Sequence, residues 1–253
     1  MTITVVMPAW NEEEGITEFI TELHESLAQW KPTFIVIDDK STDNTAGVID
    51  DLRSSGLPVS VLTNDVNMGH GPSTLGGLHA GLRAQADAVI ALDGDGQFVG
   101  SDVYSVVATL FSSGADVVEG VRRSRTDPLY RQVVSAITRT LVWSRSRRWP
   151  TDANTPLRAY RPATLEALLA RIPSLASTPN LLISALCRQS NVNVIEVPVR
   201  SIPRRGSDQQ GSTWKAKSKS LPSKQFVKFC TQAAREWWST KPGSTPPSSP
   251  LQP

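Results

Sequence analysis

The sequence has almost no cysteine: Cys187 and Cys230 are the two among 253 residues. Neither sits at a metal-binding or redox spacing, so a disulfide framework is excluded and reduced, cytoplasmic thiols are the simplest reading. Histidine is scarce too. His70 and His79 stand alone, and His79 reads as a helix-face residue rather than a ligand. Long apolar runs are missing: no window approaches the roughly 20 apolar residues that a membrane-spanning helix needs. The start, MTITVVMPAW, lacks the basic stretch and apolar core of a secretion signal. A net charge of +2 is too small to suggest nucleic-acid binding. No internal repeat is visible. The expected location is the cytoplasm, with peripheral attachment to the inner face of the membrane left open.

What is present suits an ordinary globular protein, 39% hydrophobic and 20% charged, with length for one large or two small domains. Strands are expected at Thr2 to Met7, Thr33 to Ile37, Val59 to Thr63, Ala88 to Leu92, Asp116 to Glu119 and Asn193 to Val199. A helix is expected from Glu12 to Trp30, because Ile16, Phe19, Ile20, Leu23 and Leu27 recur every three or four residues. Further helices are expected over Thr45 to Ser54, after the loop NMGHGPSTLGG, and over Ser101 to Ser112, Pro128 to Trp143, Pro162 to Arg171 and Asn180 to Arg188. SRSRRWP, residues 144 to 150, reads as a basic loop. Strands alternating with helices predict an α/β fold with a mostly parallel sheet covered on both faces. Ligands of such sheets bind at the carboxyl ends of the strands. The residues there are Pro8 to Glu13, Asp38 to Ser41, Asn67 to Gly71 and Asp93 to Gln97.

In ALDGDGQF, residues 91 to 98, an apolar run stops at Asp93 and Asp95. Two like charges this close repel unless a cation lies between them. A divalent ion with hard oxygen ligands fits, with Gln97 as a further oxygen donor; a plain Asp-Gly turn is the alternative. The second acidic pair, Asp38-Asp39, reads as a hydrogen-bond acceptor for a base or ribose, with Asp39 facing the ligand and Ser41-Thr42-Asp43 capping the next helix. The glycine loop is not a dinucleotide fingerprint, since Gly76 comes too late for the third glycine, and it is not a P-loop. It either cradles a ligand or merely turns.

VVMPAWNEEEGI, VIDDKSTDNT, the NMGHG loop and ALDGDGQF resemble, in order and spacing, the family 2 glycosyltransferases of the GT-A fold. VVEGVRRSRTDPLYRQVVS and DANTPLRAYRPATLEAL look like the polyprenyl-phosphate sugar transferases, the dolichol-phosphate mannose synthase group. VIEVPVRSIPRRGSDQQGSTW is similar to that group's closing segment, and the resemblance spans roughly residues 3 to 215. It implies a metal-dependent hexosyltransferase. Asp93 and Asp95, with Gln97, would hold Mg²⁺ or Mn²⁺ against the diphosphate of a nucleotide-sugar donor, GDP-mannose or UDP-hexose. Pro8, Ala9, Trp10, Asn11, Glu12, Asp39, Gly69 and Gly94 would surround that donor. Arg122 and Arg131 would approach an acceptor phosphate, with Arg123 and Arg125 beside them. Arg204 and Arg205 lie in the closing segment, and Asp152 is the carboxylate nearest the expected base position. The implied acceptor is a polyprenyl phosphate, reached by inverting displacement. The alternatives are a hydroxyl acceptor on a protein or small molecule, and a non-catalytic nucleotide-sugar-binding module. For any of the arginines, a solvated basic face is the other reading. Three departures from the group stand out: Lys40 after the acidic pair, the lack of a glycine in DANTPLRAY, and the arginine spacing of RRGSDQQGSTW.

The expected organisation is one catalytic domain over 1–220, an amphipathic helix over 221–238 and a Pro/Ser-rich tail over 239–253. In the helix, Phe226, Phe229, Ala233 and Trp237 share a spacing that fits either a membrane interface or docking on the domain.

Overall fold

The first apolar run is rich in β-branched residues and lacks polar alternation, the pattern of a strand covered on both faces. It forms strand β1, Ile3–Ala9, buried throughout except at Pro8. The computed structural model describes residues 1–122, 129–190, 192–206 and 237–238. After β1 come α1 (Ile16–Ser26), a 3-10 turn (Ala28–Trp30), β2 (Pro32–Asp38), α2 (Thr45–Ser54), β3 (Val59–Thr63) and α3 (His70–Arg83). Then follow β4 (Ala88–Ala91), α4 (Gly100–Ser112), β5 (Val117–Arg122), α5 (Leu129–Ser146), β6 (Arg158–Tyr160), α6 (Pro162–Leu169), α7 (Pro179–Gln189) and β7 (Val194–Val199).

The strands make one sheet in the order β3-β2-β1-β4-β6-β5-β7. β1 is parallel to β2 on one side and to β4 on the other. β6 is the exception, antiparallel to both β4 and β5. The apolar stripe of α1 packs with α2 and α4 on one face, around Phe19, Phe34 and Val106. The other face is covered by α3, α5, α6 and α7, around Leu78, Val142, Leu165 and Leu182. Each fully buried Leu or Phe here contributes roughly 1.5–3 kcal/mol.

Helix α1 starts at Ile16, four residues later than its periodicity predicts. The Glu12 N–H donates to Thr45 Oγ1 (2.9 Å), and its carbonyl accepts from Gly15 and Ile16, so residues 12–15 form a turn tied to α2. The chain builds outward from β1 to β3, then crosses to the other side of β1 to form β4. This reversal leaves a crevice at the carboxyl ends of β1 and β4, where open sheets bind ligands.

An ion network lies inside the far half of the sheet. Glu119 on β5 and Arg158 on β6 are both wholly buried and 3.1 Å apart. Arg188 on α7 joins Glu119 at 2.6 Å and Glu196 on β7 at 2.8 Å. Arg158 Nη1 donates to the Asn180 carbonyl (3.0 Å). These charges join three strands and a helix beside the apolar cluster that those elements share.

The expected helix over 221–238 and tail over 239–253 lie outside the described residues, apart from Trp237 and Trp238. Trp237 is buried under the Arg145 guanidinium of α5, 4.1 Å above its ring. No helix among the described residues is long and apolar enough to cross a membrane.

Candidate active site

The DGDG turn is held by its glycines. Past the end of β4, Leu92 N donates to the Val6 carbonyl (3.2 Å) and Gly94 N to the Pro8 carbonyl (3.1 Å). A Cβ on Gly94 would lie 2.9 Å from that Pro8 oxygen, so only glycine permits this approach. Gly96 follows at φ +68°, which turns the chain back over the crevice. Asp93 and Asp95 are thereby fixed at the β1/β4 reversal, with Asp95 Oδ1 accepting from Gln97 N (3.2 Å).

The arrangement is electrostatically unfavourable in the bare protein. Burial, reinforced by the Asp93 charge, raises the Asp95 carboxyl from 3.8 to about 7. Burial likewise raises Glu12 from 4.5 to about 7, partly offset by Arg204 and reinforced by Asp95 and Asp93. A divalent cation held by Asp93 and Asp95 would remove the repulsion between them. Among the described residues no group of three His, Cys, Asp or Glu side chains is placed to hold a metal. The donor set therefore fits an ion that takes its remaining ligands from phosphate oxygens and water, as Mg²⁺ commonly does. His70 Nε2, at the first position of α3, lies 3.5 Å from Asp93 Oδ1. Its sequence position gave one signal, an imidazole directly after Gly69 at a strand-end loop.

The side of the crevice where the motifs lead one to expect a nucleoside is built from the ends of β1 and β2. Asn11 adopts φ +55°, a left-handed conformation that Asn tolerates better than most residues. Its Oδ1 accepts from Thr42 N (2.8 Å) and its N–H donates to Ser41 Oγ (3.0 Å). The Ala9 carbonyl accepts from Asp39 N (2.9 Å), and Trp10 is half-buried beside them. Asp43 Oδ1 accepts from Thr45 N (3.0 Å), which serves the expected capping. Asp39 is engaged by the chain itself. Its two oxygens accept from Met68 N and Gly69 N, both at 2.8 Å, and from Asn64 Nδ2 at 2.9 Å. The carboxylate thus moors the glycine loop at the start of α3.

The expected arginines divide. Arg204 grips Glu12 through two bonds, Nη2 to Oε1 at 2.5 Å and Nε to Oε2 at 3.1 Å. Arg205 pairs with Glu18 (2.8 Å) and Glu22, and its backbone N–H donates to the Asp95 carbonyl (3.2 Å). Residues 200–206 therefore form a strap across the end of β4, with Ile202 N bonded to the Gln97 carbonyl (3.0 Å). At the end of β5, Arg122 holds Asp152 in a two-bond pair at 2.8 and 3.2 Å. The side chain of Arg131 lies outside the described residues, as do Arg123 and Arg125. The pairing of the strap with Glu12, Glu18 and Glu22 has no sequence signal, because nearly two hundred positions separate the partners.

Residues 4–165 match the family model described as glycosyl transferase family 2. The chain belongs to that family. This family 2 chain is 30% identical over 186 residues to an undecaprenyl-phosphate 4-deoxy-4-formamido-L-arabinose transferase of Proteus mirabilis strain HI4320. The match covers 70% of this chain and 56% of that protein, so the chain spans little more than half the relative's length. Among solved structures, a glucosyl-3-phosphoglycerate synthase from Mycobacterium tuberculosis, in complex with Mn²⁺, UDP and glucosyl-3-phosphoglycerate, superposes with a TM-score of 0.61 at 20% identity. That superposition covers 94% of this chain and 79% of the other. A mannosyl-3-phosphoglycerate synthase from Rubrobacter xylanophilus gives a TM-score of 0.63 at 16% identity, covering 94% and 73%. Both show the GT-A fold expected from the motifs.

Proposed function

We propose that this family 2 chain transfers one sugar from a nucleotide-sugar donor to a polyprenyl phosphate. The observation that carries the reading is the half-buried carboxylate pair Asp93 and Asp95 at the β1/β4 crevice, in a chain of this family. Asp93 and Asp95 would hold Mg²⁺ or Mn²⁺, with Gln97 beside them, and the ion would neutralise charge on the donor's diphosphate. The end of β1, from Pro8 to Glu12, and the Asp39-moored loop at Gly69 bound the crevice on the nucleoside side.

The acceptor is read from the far side of the crevice. A phosphate is already ionised at neutral pH, so it can attack the anomeric carbon without a general base, whereas a hydroxyl needs its proton removed. Asp152, the candidate base, is held in a two-bond pair with Arg122. That arrangement suits a phosphate nucleophile better than a hydroxyl. In the step, a phosphate oxygen forms the new bond to the anomeric carbon. The bond from that carbon to the diphosphate breaks, and the nucleoside diphosphate leaves with the electron pair. Direct displacement inverts the anomeric centre. The named acceptor of the Proteus mirabilis relative, undecaprenyl phosphate, supports the same class. Its sugar is a 4-deoxy-4-formamido-L-arabinose, so donors bearing pentoses belong in the screen beside GDP-mannose and UDP-hexoses.

The test is nucleoside diphosphate release by the purified chain, with each donor, with and without Mn²⁺ or Mg²⁺, and with and without polyprenyl phosphate. Release should require cation and lipid phosphate together, and Asp93→Asn with Asp95→Asn should abolish it. Turnover on a hydroxyl acceptor without lipid, lost in Asp152→Asn, would overturn the acceptor. Donor binding without any turnover would reduce the chain to a binding module.

A further inference from the structure

Among the described residues, three exposed large apolar side chains gather on one surface. Trp143 on α5 is 39% exposed and Trp149 just after it 50%. Ile137, two turns before Trp143, is 54% exposed. On α5 the outward positions are 136, 137, 140, 143 and 144, while Val142 faces the core. They recur at helical spacing, so Ile137 and Trp143 lie on one outward arc, and Arg147 follows just past the helix end. The two tryptophans meet, with ring centroids 6.0 Å apart. Arginines cover their faces: Arg147 lies 5.2 Å from the Trp143 ring and Arg139 lies 5.3 Å from the Trp149 ring. Arg139 also donates to the Pro150 carbonyl (3.0 Å), which fastens the Trp149 turn to α5.

The charge here is of one sign. Between Asp127 and Asp152 the chain carries five arginines and no carboxylate. The nearest acids are already paired, Asp152 with Arg122 and Glu196 with Arg188. Tryptophan beside arginine is the pairing that sits stably at the headgroup level of an anionic bilayer. The indole is apolar in body and polar at one edge, and the guanidinium meets lipid phosphates. A core-docking partner would need an apolar surface without the arginines at its centre.

We propose that the outward face of α5 and the Trp149 turn form a docking surface for an anionic phospholipid bilayer. The surface adjoins the acceptor side of the crevice, since Trp149 precedes Asp152 by three positions and Asp152 is bonded to Arg122 at the end of β5. Docked this way, the Arg122 edge of the site faces the plane in which a lipid-linked phosphate lies. The inference goes beyond the acceptor reading and stands apart from it, because bilayer binding is measured without donor, metal or turnover.

The test is sedimentation of the full chain with vesicles of phosphatidylcholine alone and of phosphatidylcholine mixed with phosphatidylglycerol, at low and high salt. Binding should require the anionic lipid and weaken with salt. Arg147→Glu with Arg148→Glu should weaken partition about tenfold or more, from the attraction each basic residue gains near an anionic surface. Trp143→Ser with Trp149→Ser should weaken it comparably, with the melting curve of each variant unchanged because all four side chains are exposed. Quenching of the wild-type tryptophan emission by brominated anionic lipid provides a readout that needs no variant. Failure of the wild type to sediment or be quenched, equal binding to neutral vesicles, or variants that bind like wild type would overturn the proposal. A concentration-dependent dimer that Trp149→Ser dissociates, without vesicle binding, would assign the surface to a second copy instead.

Discussion

Replacing Asp95 by asparagine should stabilise the metal-free protein while removing its response to divalent cations. The Asp95 carboxyl rises from 3.8 to about 7 on folding, through burial and the neighbouring Asp93 charge. An acid raised on folding opposes the fold only where it is ionised. The penalty is absent below pH 3.8, grows as pH rises toward about 7, and is constant above. Fully ionised, the shift corresponds to about 4 kcal/mol, an upper limit because Glu12 and Asp93 share the same field. Asparagine keeps an oxygen for the Gln97 N–H and carries no charge. For a chain of this length each kcal/mol moves Tm by about 2–4 °C. Asp95→Asn should therefore raise Tm by several degrees at pH 8, with the gain vanishing near pH 4. In the wild type, saturating Mn²⁺ or Mg²⁺ should raise Tm at pH 8 through binding to the folded state, and the variant should lose most of that shift. Scanning calorimetry at several pH values, with and without cation, reads both effects. If Asp95→Asn melts lower than wild type at pH 8, or if its gain persists unchanged at pH 4, the two carboxylates are not the mutually repelling pair described above.

Three other expectations follow from the same geometry. Glu119→Gln leaves Arg158 buried without its counter-charge and Arg188 with Glu196 alone, and should cost about 3–5 kcal/mol, read as a lower urea midpoint; Glu119→Leu combined with Arg158→Met and Arg188→Leu should recover much of that loss. Asp39→Ala removes the acceptor for the Met68 and Gly69 amides, so hydrogen exchange at both should accelerate and nucleotide-sugar affinity should fall, while Asp39→Glu should restore neither fully. Arg204→Ala leaves Glu12 beside Asp93 and Asp95 without its guanidinium, raising that carboxyl beyond about 7. Its Tm deficit should consequently be larger at pH 8, where Glu12 must ionise, than at pH 5.

The position of the acidic crevice in the fold was readable from residue order because its parts are strand ends. Each apolar run ends in a polar or glycine cluster, and the alternation of elements places those ends on one edge. β3 and α2 match their expected bounds, and DGDG follows the carboxyl end of β4 as expected. Three features escaped. β6 is three residues long, carries Arg158, and runs antiparallel, so neither length nor hydrophobicity marks it. Most of the glycine loop is helix: of residues 67–77, all from His70 onward lie in α3. Gly77 and Gly81 lie within α3, and a Cβ on Gly81 would come within 2.7 Å of Val89, so glycine there permits close packing on β4 rather than a turn. Asp39 was expected to face a ligand, yet its oxygens are taken by amides some thirty positions later, a pairing that only the folded loop creates. The arginines show the same limit. Their type announces anion binding, but whether the anion is a phosphate or the protein's own glutamate depends on tertiary placement.

The strap at 200–206 has a consequence for how the protein is made. Ribosomal synthesis delivers Glu12, Asp93 and Asp95 long before Arg204 and Arg205 emerge. Until then three acids crowd one edge of a nascent sheet with no guanidinium beside Glu12. A growing polypeptide can lay down the first four parallel strands early, but their acidic edge stays unbalanced until the strap closes over it. A nonsense mutation between Val199 and Arg204 would therefore leave all seven strands encoded while removing both guanidinium groups from that edge.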